Sequence, residues 1–174
     1  MLKLDKKFYT QDVLTVAPQL IGKILVRKLE NGKIIKHRIT ETEAYRGEDD
    51  TACHAKAGKT KRTAIMYEQG GYAYIYLCYG VHYMLNVVTG DKEQPQAALI
   101  RGVEGYNGPG KLTKAMGIGK ELNEINLVTS NKMWIEDDGY IANYKTSKRI
   151  GIDYATEPYK SMEWRFVIDN IHNT

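Results

Sequence analysis

Residues 38–50 read R-I-T-E-T-E-A-Y-R-G-E-D-D, and residues 72–80 read Y-A-Y-I-Y-L-C-Y-G. The first stretch continues a strand predicted from Ile34 to about Glu43, which follows a strand from Ile24 to Leu29 across an Asn31-Gly32 hairpin turn. In the second stretch apolar residues alternate with tyrosines, which is typical of a strand with one face toward the core. The apolar row consists of Ala73, Ile75 and Leu77.

The rest of the chain mixes helices and strands without a regular βαβ alternation. We predict an amphipathic helix from Thr10 to Leu20, capped by Thr10 and ended by Gly22. Its predicted apolar face consists of Val13, Leu14, Ala17, Leu20 and Ile21. The other predicted elements are strands at 83–88, 97–103 and 164–168, a strand and turn at 133–139, and a short helix within 107–118. This mixture predicts a single α+β domain, 1–174, with a mostly antiparallel sheet.

The composition restricts the function only weakly. The chain has a net charge of +4 and a pI near 8.9, which is compatible with a phosphate-bearing partner but does not identify one. Cys53 and Cys78 fit neither a disulfide framework nor a metal-ligand spacing, so we expect free thiols in a reducing compartment. We find no signal peptide, long apolar run or lipidation motif, and therefore expect a cytoplasmic protein.

Two carboxylates are predicted to lie on one strand face. If residues 35–45 are extended, the side chains that share this face are His37, Ile39, Glu41, Glu43 and Tyr45. Neighbouring carboxylates are costly unless one is partnered or does chemical work, such as orienting a water as a general base. Arg101 follows an apolar run and needs an acid partner, for which Glu43 is a candidate. A solvated strand end and a structural ion pair would explain the same residues.

Tyrosine dominates the aromatic residues, with 13 tyrosines against two phenylalanines and two tryptophans. Because tyrosine combines a stacking face with a polar tip, this bias suits a wet binding cleft. Tyr79 precedes Gly80, where a turn could place the ring at a hairpin tip. His54 precedes a run of lysines and Arg62, where it could stack on a base, contact a phosphate or be an ordinary loop histidine.

Taken together, these residues resemble the alkyladenine (3-methyladenine) DNA glycosylase family. Weaker similarity extends from about Leu4 to Val167, and the matching segments occur in family order. They are RITETEAY (38–45), DDTACH (49–54), YIYLCYGVHYMLN (74–86), ALIR (98–101), NGPGKLTKAMGI (107–118) and RIGIDY (149–154). Two connections, 86–101 and 120–147, differ in length from those of eukaryotic members, whose long N-terminal extension is also lacking.

The resemblance implies a catalytic pair and a fold. Glu43 corresponds to the base that activates the water, and Arg101 to the arginine that helps hold this water. Glu41 then has no catalytic role. The implied fold is a curved antiparallel sheet flanked by helices, with a hairpin that protrudes toward DNA.

The resemblance also implies how a base is recognised. Tyr45, His54 and Tyr76 correspond to the residues that sandwich a flipped base. Tyr79 corresponds to the tyrosine that intercalates into DNA. Asn86 corresponds to the asparagine that excludes bases with an exocyclic amino group in the minor groove, such as normal guanine.

The implied reaction is monofunctional hydrolysis of the N-glycosidic bond of an alkylated or deaminated purine. Such lesions include 3-methyladenine, 7-methylguanine, hypoxanthine and ethenoadenine. The implied partner is double-stranded DNA containing damaged purines, with no cofactor, no metal and no covalent lyase step. We expect a monomer in the bacterial cytoplasm, with access to the nucleoid and without membrane association.

Parts of the sequence also fit two alternative functions. Gly108-Pro109-Gly110-Lys111 before a helix suggests a helix-hairpin-helix glycosylase, but the strand-rich pattern argues against that all-α class. A non-catalytic nucleic-acid-binding module could use the tyrosine face as a stacking platform. Such a module would tolerate the loss of Glu43.

Overall fold

The structure is a computed structural model that describes residues 1–169, so the end of the predicted domain, residues 170–174, lies outside the described part. None of the helices within residues 1–169 is long and apolar enough to cross a membrane. The helices and strands, in chain order, are β1 (Leu2–Lys3), α1 (Lys6–Tyr9), α2 (Val13–Leu20), β2 (Ile24–Lys28), β3 (Ile34–Arg46), β4 (Ala73–Cys78), β5 (His82–Val88), β6 (Gln96–Val103), β7 (Tyr106–Asn107), α3 (Pro109–Ala115), β8 (Met133–Asp137), β9 (Tyr144–Ser147) and β10 (Arg165–Ile168).

The strands form a sheet organised around β3, its longest member. The strand order is β1-β8-β2-β3-β6-β5-β4; β7 pairs with β6, and β10 pairs with both β3 and β9. The first part of β3 pairs with β2, and the second part pairs with β6 on one side and β10 on the other. All of these pairings are antiparallel. The α+β fold with a mostly antiparallel sheet is therefore confirmed.

An irregularity in β3 changes which side chains share a face. The register with β6 shifts on both sides of Glu41. As a result Ile39 and Ala44 both belong to the main core, and the Thr42 hydroxyl donates to the Ala17 carbonyl of α2 over 2.8 Å. Glu43 lies on the opposite face. The prediction that Ile39 shares a face with Glu43 is therefore wrong, because a bulge interrupts the two-residue alternation.

Helix α2 begins later than predicted and packs with a shifted face. Its cap is Asp12, whose carboxylate accepts from the Leu14 N–H over 2.9 Å, so Thr10 is not the cap. The fully buried residues of α2 are Val13, Val16, Ala17 and Leu20, whereas Leu14 is only partly buried. The helix ends just before Gly22, as predicted, and Gly22 has a φ of +89°.

The β4–β5 hairpin separates an apolar face from an aromatic one. Ala73 and Ile75 lie in the main core, whereas Leu77 is 46% exposed, so the predicted core-facing row ends at Ile75. At the tip Tyr79 and Gly80 have positive φ values of 50° and 67°. The Tyr79 side chain is 95% exposed. The turn therefore presents an aromatic ring to solvent at the end of the hairpin.

Asp12→Ala should lower the free energy of unfolding by about 1–2 kcal/mol, because α2 loses its side-chain cap and Arg46 loses an ion-pair partner at 2.8 Å. Thr10→Ala is the matched control and should cost less than about 0.5 kcal/mol. Urea denaturation of both variants measures this difference. An equal loss in the two variants would contradict the position of the cap.

Candidate active site

The predicted site residues come from neighbouring strands and one loop. The sheet order places β3, β6, β5 and β4 side by side, and the 3-10 helix His54–Ala57 packs over their aromatic side. A cavity lies at this junction, and its lining includes Tyr45, His54, Tyr76 and Asn86. The fully buried Glu43 and the partly buried Arg101 lie next to it, on β3 and β6. Only Tyr79 stands apart, at the hairpin tip.

Glu43 is a carboxylate without any solvent exposure. Its Oε1 accepts from the Ile150 N–H over 2.7 Å, and its Oε2 accepts from the Tyr45 hydroxyl over 2.7 Å. Burial raises the pKa of Glu43, while the charge of Arg101 and these two hydrogen bonds oppose the rise. A raised pKa brings a carboxylate closer to the range in which a base can accept a proton near neutral pH.

Arg101 has a different direct partner from the one expected. Its Nε donates to Glu41 Oε1 over 3.0 Å and lies 3.7 Å from Glu43 Oε1. Arg165 of β10 donates to the same Glu41 oxygen. Glu41 therefore pairs with two arginines next to Glu43, and Arg101 interacts with Glu43 through its charge more than through a close hydrogen bond.

The cavity is walled by aromatic rings. His54 and Tyr76 have ring centroids 4.6 Å apart, and the His54 Nδ1 shares a 2.8 Å hydrogen bond with the Tyr74 hydroxyl. Burial, together with the charges of Arg62 and Lys56, lowers the pKa of His54 to about 4. His54 is consequently neutral at pH 7. It is suited to stacking and hydrogen bonding rather than to donating a proton as an imidazolium.

The cavity is small in this structure. Its volume is about 40 Å³, which is room for a few waters rather than a purine. Tyr154 lies at the mouth, is 58% exposed and donates from its hydroxyl to the Ala52 carbonyl over 2.9 Å. Entry of a purine therefore requires side chains around the mouth to move.

Asn86 is buried at the side of the cavity formed by β5. Its Nδ2 donates to the Tyr74 carbonyl across the β4–β5 pair over 3.2 Å. This bond fixes the amide plane at the cavity wall. Asn86 thus presents a rigid polar group where the rest of the wall is mostly aromatic or apolar.

A buried ion pair supports the wall that contains Tyr45. Arg149 donates to both carboxylate oxygens of Asp50 over 2.6 and 2.9 Å, and neither side chain is exposed. The Arg149 guanidinium lies 4.8 Å from the Tyr45 ring centroid and 5.0 Å from that of Trp164. The ion pair therefore holds a flat cation against the back of the cavity wall.

Several residues of this site were missed by the sequence analysis. Tyr74 alternates with Tyr76, so the strand pattern contained the signal for it. Asp50, Arg149 and Tyr154 lie in the quoted segments DDTACH and RIGIDY, but their types alone assign no role. Arg165 had no signal, since its contact with Glu41 depends on the pairing of β10 with β3.

The site offers no evident place for a metal ion. Within residues 1–169, the side chains of His, Cys, Asp and Glu nowhere form a group of three that could bind one. Cys53 lines the cavity, and burial raises its pKa to about 12. Its thiol is therefore protonated at neutral pH and is a poor nucleophile.

Comparison with known proteins identifies relatives along almost the whole chain. The family model described as methylpurine-DNA glycosylase (MPG) matches residues 7–106 and 104–172. Relatives named as candidate 3-methyladenine DNA glycosylases occur in several bacteria. Those of Borrelia garinii subsp. bavariensis and Borreliella burgdorferi strain B31 are 47% and 46% identical, with 95% of both chains covered. That of Natranaerobius thermophilus is 42% identical, with 96% of both chains covered.

Asp50→Asn should lower the free energy of unfolding by about 3–5 kcal/mol, because it leaves the buried Arg149 guanidinium without its counter-charge. Glu93→Gln breaks the exposed ion pair with Lys59 and should cost less than about 1 kcal/mol. Urea denaturation of both variants tests this contrast. A loss below 1 kcal/mol for Asp50→Asn would show that the buried pair is dispensable.

Proposed function

Because the chain belongs to the methylpurine-DNA glycosylase family, we propose that it excises damaged purines from double-stranded DNA with a water activated by Glu43. The family and its named relatives make the protein a DNA glycosylase, a hydrolase of N-glycosyl bonds in base-excision repair. The observation that carries the finer proposal is the buried Glu43 carboxylate, held by two hydrogen-bond donors next to an aromatic cavity. The substrates in this proposal are 3-methyladenine, 7-methylguanine, hypoxanthine and ethenoadenine.

The proposed reaction needs one water molecule and one general base. Glu43 accepts a proton from the water, whose oxygen forms a bond to C1′ of the deoxyribose. The bond from C1′ to the purine nitrogen breaks, and its electron pair leaves with the base, so an abasic site remains. Arg101, 3.7 Å from Glu43, helps to hold the water and to keep the carboxylate ionised.

The charge of the base decides how much further help the reaction needs. A cationic base such as 3-methyladenine leaves as a neutral molecule and requires no proton. A neutral base such as hypoxanthine has to be protonated as it leaves. His54 is neutral at pH 7 and is a poor donor for this step, so we assign the general acid to no residue.

The aromatic walls provide the proposed base pocket. In this hypothesis Tyr45 stacks on one face of the flipped base, and His54 and Tyr76, which lie in contact, stack on the other. Asn86 then faces the edge of the base and disfavours purines with an exocyclic amino group in the minor groove. Its fixed amide supports this role, because a rigid polar group discriminates better than a mobile one.

Tyr79 is the proposed wedge in the DNA stack. Extrusion of a base costs a few kcal/mol, and an aromatic ring inserted into the vacated space offsets part of this cost. The exposure of the ring at a tight hairpin tip supports this role. We propose that the protein acts on DNA as a monomer. We infer a cytoplasmic location from the proposed substrate, chromosomal DNA.

The two alternative functions have little support. The helix-hairpin-helix class has an all-α body, whereas this fold is built on a ten-stranded sheet. A non-catalytic binding module would not require the buried Glu43 carboxylate, which lies on β3 between the strands that carry Arg101 and Arg165. Burying such a charge is costly, which favours a chemical role.

Glu43→Gln should slow base release at least 100-fold while affinity for lesion DNA is retained, since the amide cannot accept the proton of the water. The assay uses oligonucleotides with single defined lesions and alkaline cleavage of the abasic site. Glu48→Gln is a matched control, because Glu48 also accepts a tyrosine hydroxyl, that of Tyr67 at 2.6 Å, but is exposed. Normal release by Glu43→Gln would rule out Glu43 as the base.

Tyr79→Ala should weaken extrusion and lower the fluorescence signal of a flipped base analogue, because the vacated stack is no longer filled. Val81→Ala removes a neighbouring exposed side chain of the same hairpin, 68% exposed, and should leave the signal unchanged. Stopped-flow fluorescence on duplexes with a fluorescent lesion measures both variants. Equal signals from Tyr79→Ala and the unmodified protein would exclude the wedge.

A further inference from the structure

Tyr45 lies two residues from Glu43 on β3, and its side chain contacts two different parts of the site. The ring lines the cavity together with His54 and Tyr76. The hydroxyl donates to Glu43 Oε2 over 2.7 Å. A residue needed only for stacking would have no reason to direct its polar tip at the buried carboxylate.

The position of the Tyr45 ring is fixed from behind. The Arg149 guanidinium lies 4.8 Å from the ring centroid and is held by two hydrogen bonds to Asp50. Trp164 contacts the same guanidinium at 5.0 Å. Since the ring packs on a group that cannot move freely, the direction of the hydroxyl is set by packing.

Glu43 depends on few direct donors. Within the described residues its hydrogen bonds come from the Tyr45 hydroxyl and the Ile150 N–H. Arg101 is further away, and its Nε is engaged by Glu41. A buried charge needs such donors to replace its hydration, and the hydroxyl of Tyr45 is the one that a side-chain substitution can remove.

Building on the proposed function, we propose that the Tyr45 hydroxyl supports the general base: by donating to Glu43 Oε2 it keeps the Glu43 carboxylate ionised and able to accept the proton of the water. Tyr45 is thus a positioning residue that acts on the water through Glu43, in addition to stacking on the base. Base recognition and water activation then share one side chain. A nucleobase stacked on the Tyr45 ring therefore contacts the same side chain that donates to the Glu43 carboxylate.

Other charged or titratable groups also surround Glu43 and have to be kept unchanged in any test. They lie on β3, β6 and β10 and on the segment between β9 and β10, and they are Glu41, Arg101, Arg149, Tyr154 and Arg165. Burial and the neighbouring Glu43 raise the pKa of Tyr45 well above its ordinary value, so its hydroxyl keeps its proton. Removing this hydroxyl removes a hydrogen bond that lowers the pKa of Glu43. The pKa of Glu43 therefore rises further.

The test compares the pH dependence of single-turnover base release by the unmodified protein and Tyr45→Phe. A duplex with 3-methyladenine is the substrate, because this cationic base lacks the amino group that Asn86 disfavours and leaves without a proton. The fall of the rate at acidic pH, the acidic limb, then reports the ionisation of Glu43. At the acidic end Tyr45→Phe should be about tenfold slower than the unmodified protein. At the alkaline plateau, where Glu43 is ionised in both, the rates should agree within about threefold. Affinity for lesion DNA should be unchanged, since the ring is retained.

Two further proteins separate this role from a structural one. Tyr67→Phe removes a hydroxyl that donates to the exposed Glu48 rather than to Glu43, and should leave the acidic limb in place. A fluorinated tyrosine introduced at position 45 alone has a more acidic phenol and donates a stronger hydrogen bond. It should move the acidic limb to lower pH, the opposite direction from Tyr45→Phe.

Thermal denaturation shows whether each variant is folded. If Tyr45→Phe does not fold, the fluorinated protein tests the proposal in its place. The proposal would be overturned if the acidic limb lay at the same pH in the unmodified protein, in folded Tyr45→Phe and in the fluorinated protein. A uniform loss of rate at every pH would overturn it as well, because it indicates a structural role. If the unmodified protein released no damaged base at all, the proposed function itself would fail, which is a distinguishable result.

Discussion

The burial of one carboxylate is the constraint on which the rest of this site depends. Glu43 has no solvent exposure, and a charge removed from water has to find protein groups that replace its hydration. These groups come from three separate parts of the chain: Tyr45 on the same strand, Arg101 on β6 and Ile150 between β9 and β10. The sheet order, with β6 and β10 on either side of β3, brings them together.

Much of the fold could be predicted because its strands follow a simple alternation. The β2–β3 hairpin, the β4–β5 hairpin and the late strand β10 are all found close to their predicted bounds. The errors arise where a local pattern competes with a tertiary contact. The bulge near Glu41 interrupts the alternation of β3, and the Asp12 carboxylate, which also pairs with Arg46, caps α2 in place of Thr10.

Most of the predicted site residues lie close together, but their connections and five further residues around them were not predicted. Resemblance to a family selected the residues, and the structure brings six of the seven to one junction of the sheet. The spacing of charges could not show that Arg101 binds Glu41 more closely than Glu43, since this depends on an irregular register. Nor could it show that Arg149 lies behind Tyr45, because that contact joins residues 104 positions apart.

The late position of Ile150 and β10 has a consequence for the order in which this enzyme is made. Glu43, Tyr45, His54, Tyr76 and Arg101 all lie within the first 101 residues, whereas Ile150 and Arg165 follow much later in the sequence. Most residues of the site are therefore translated before the groups from the late segment that contact Glu43 and Glu41. Assembly of the site therefore waits until residues 150 and 165 have been translated, and a chain interrupted before them would lack a complete site.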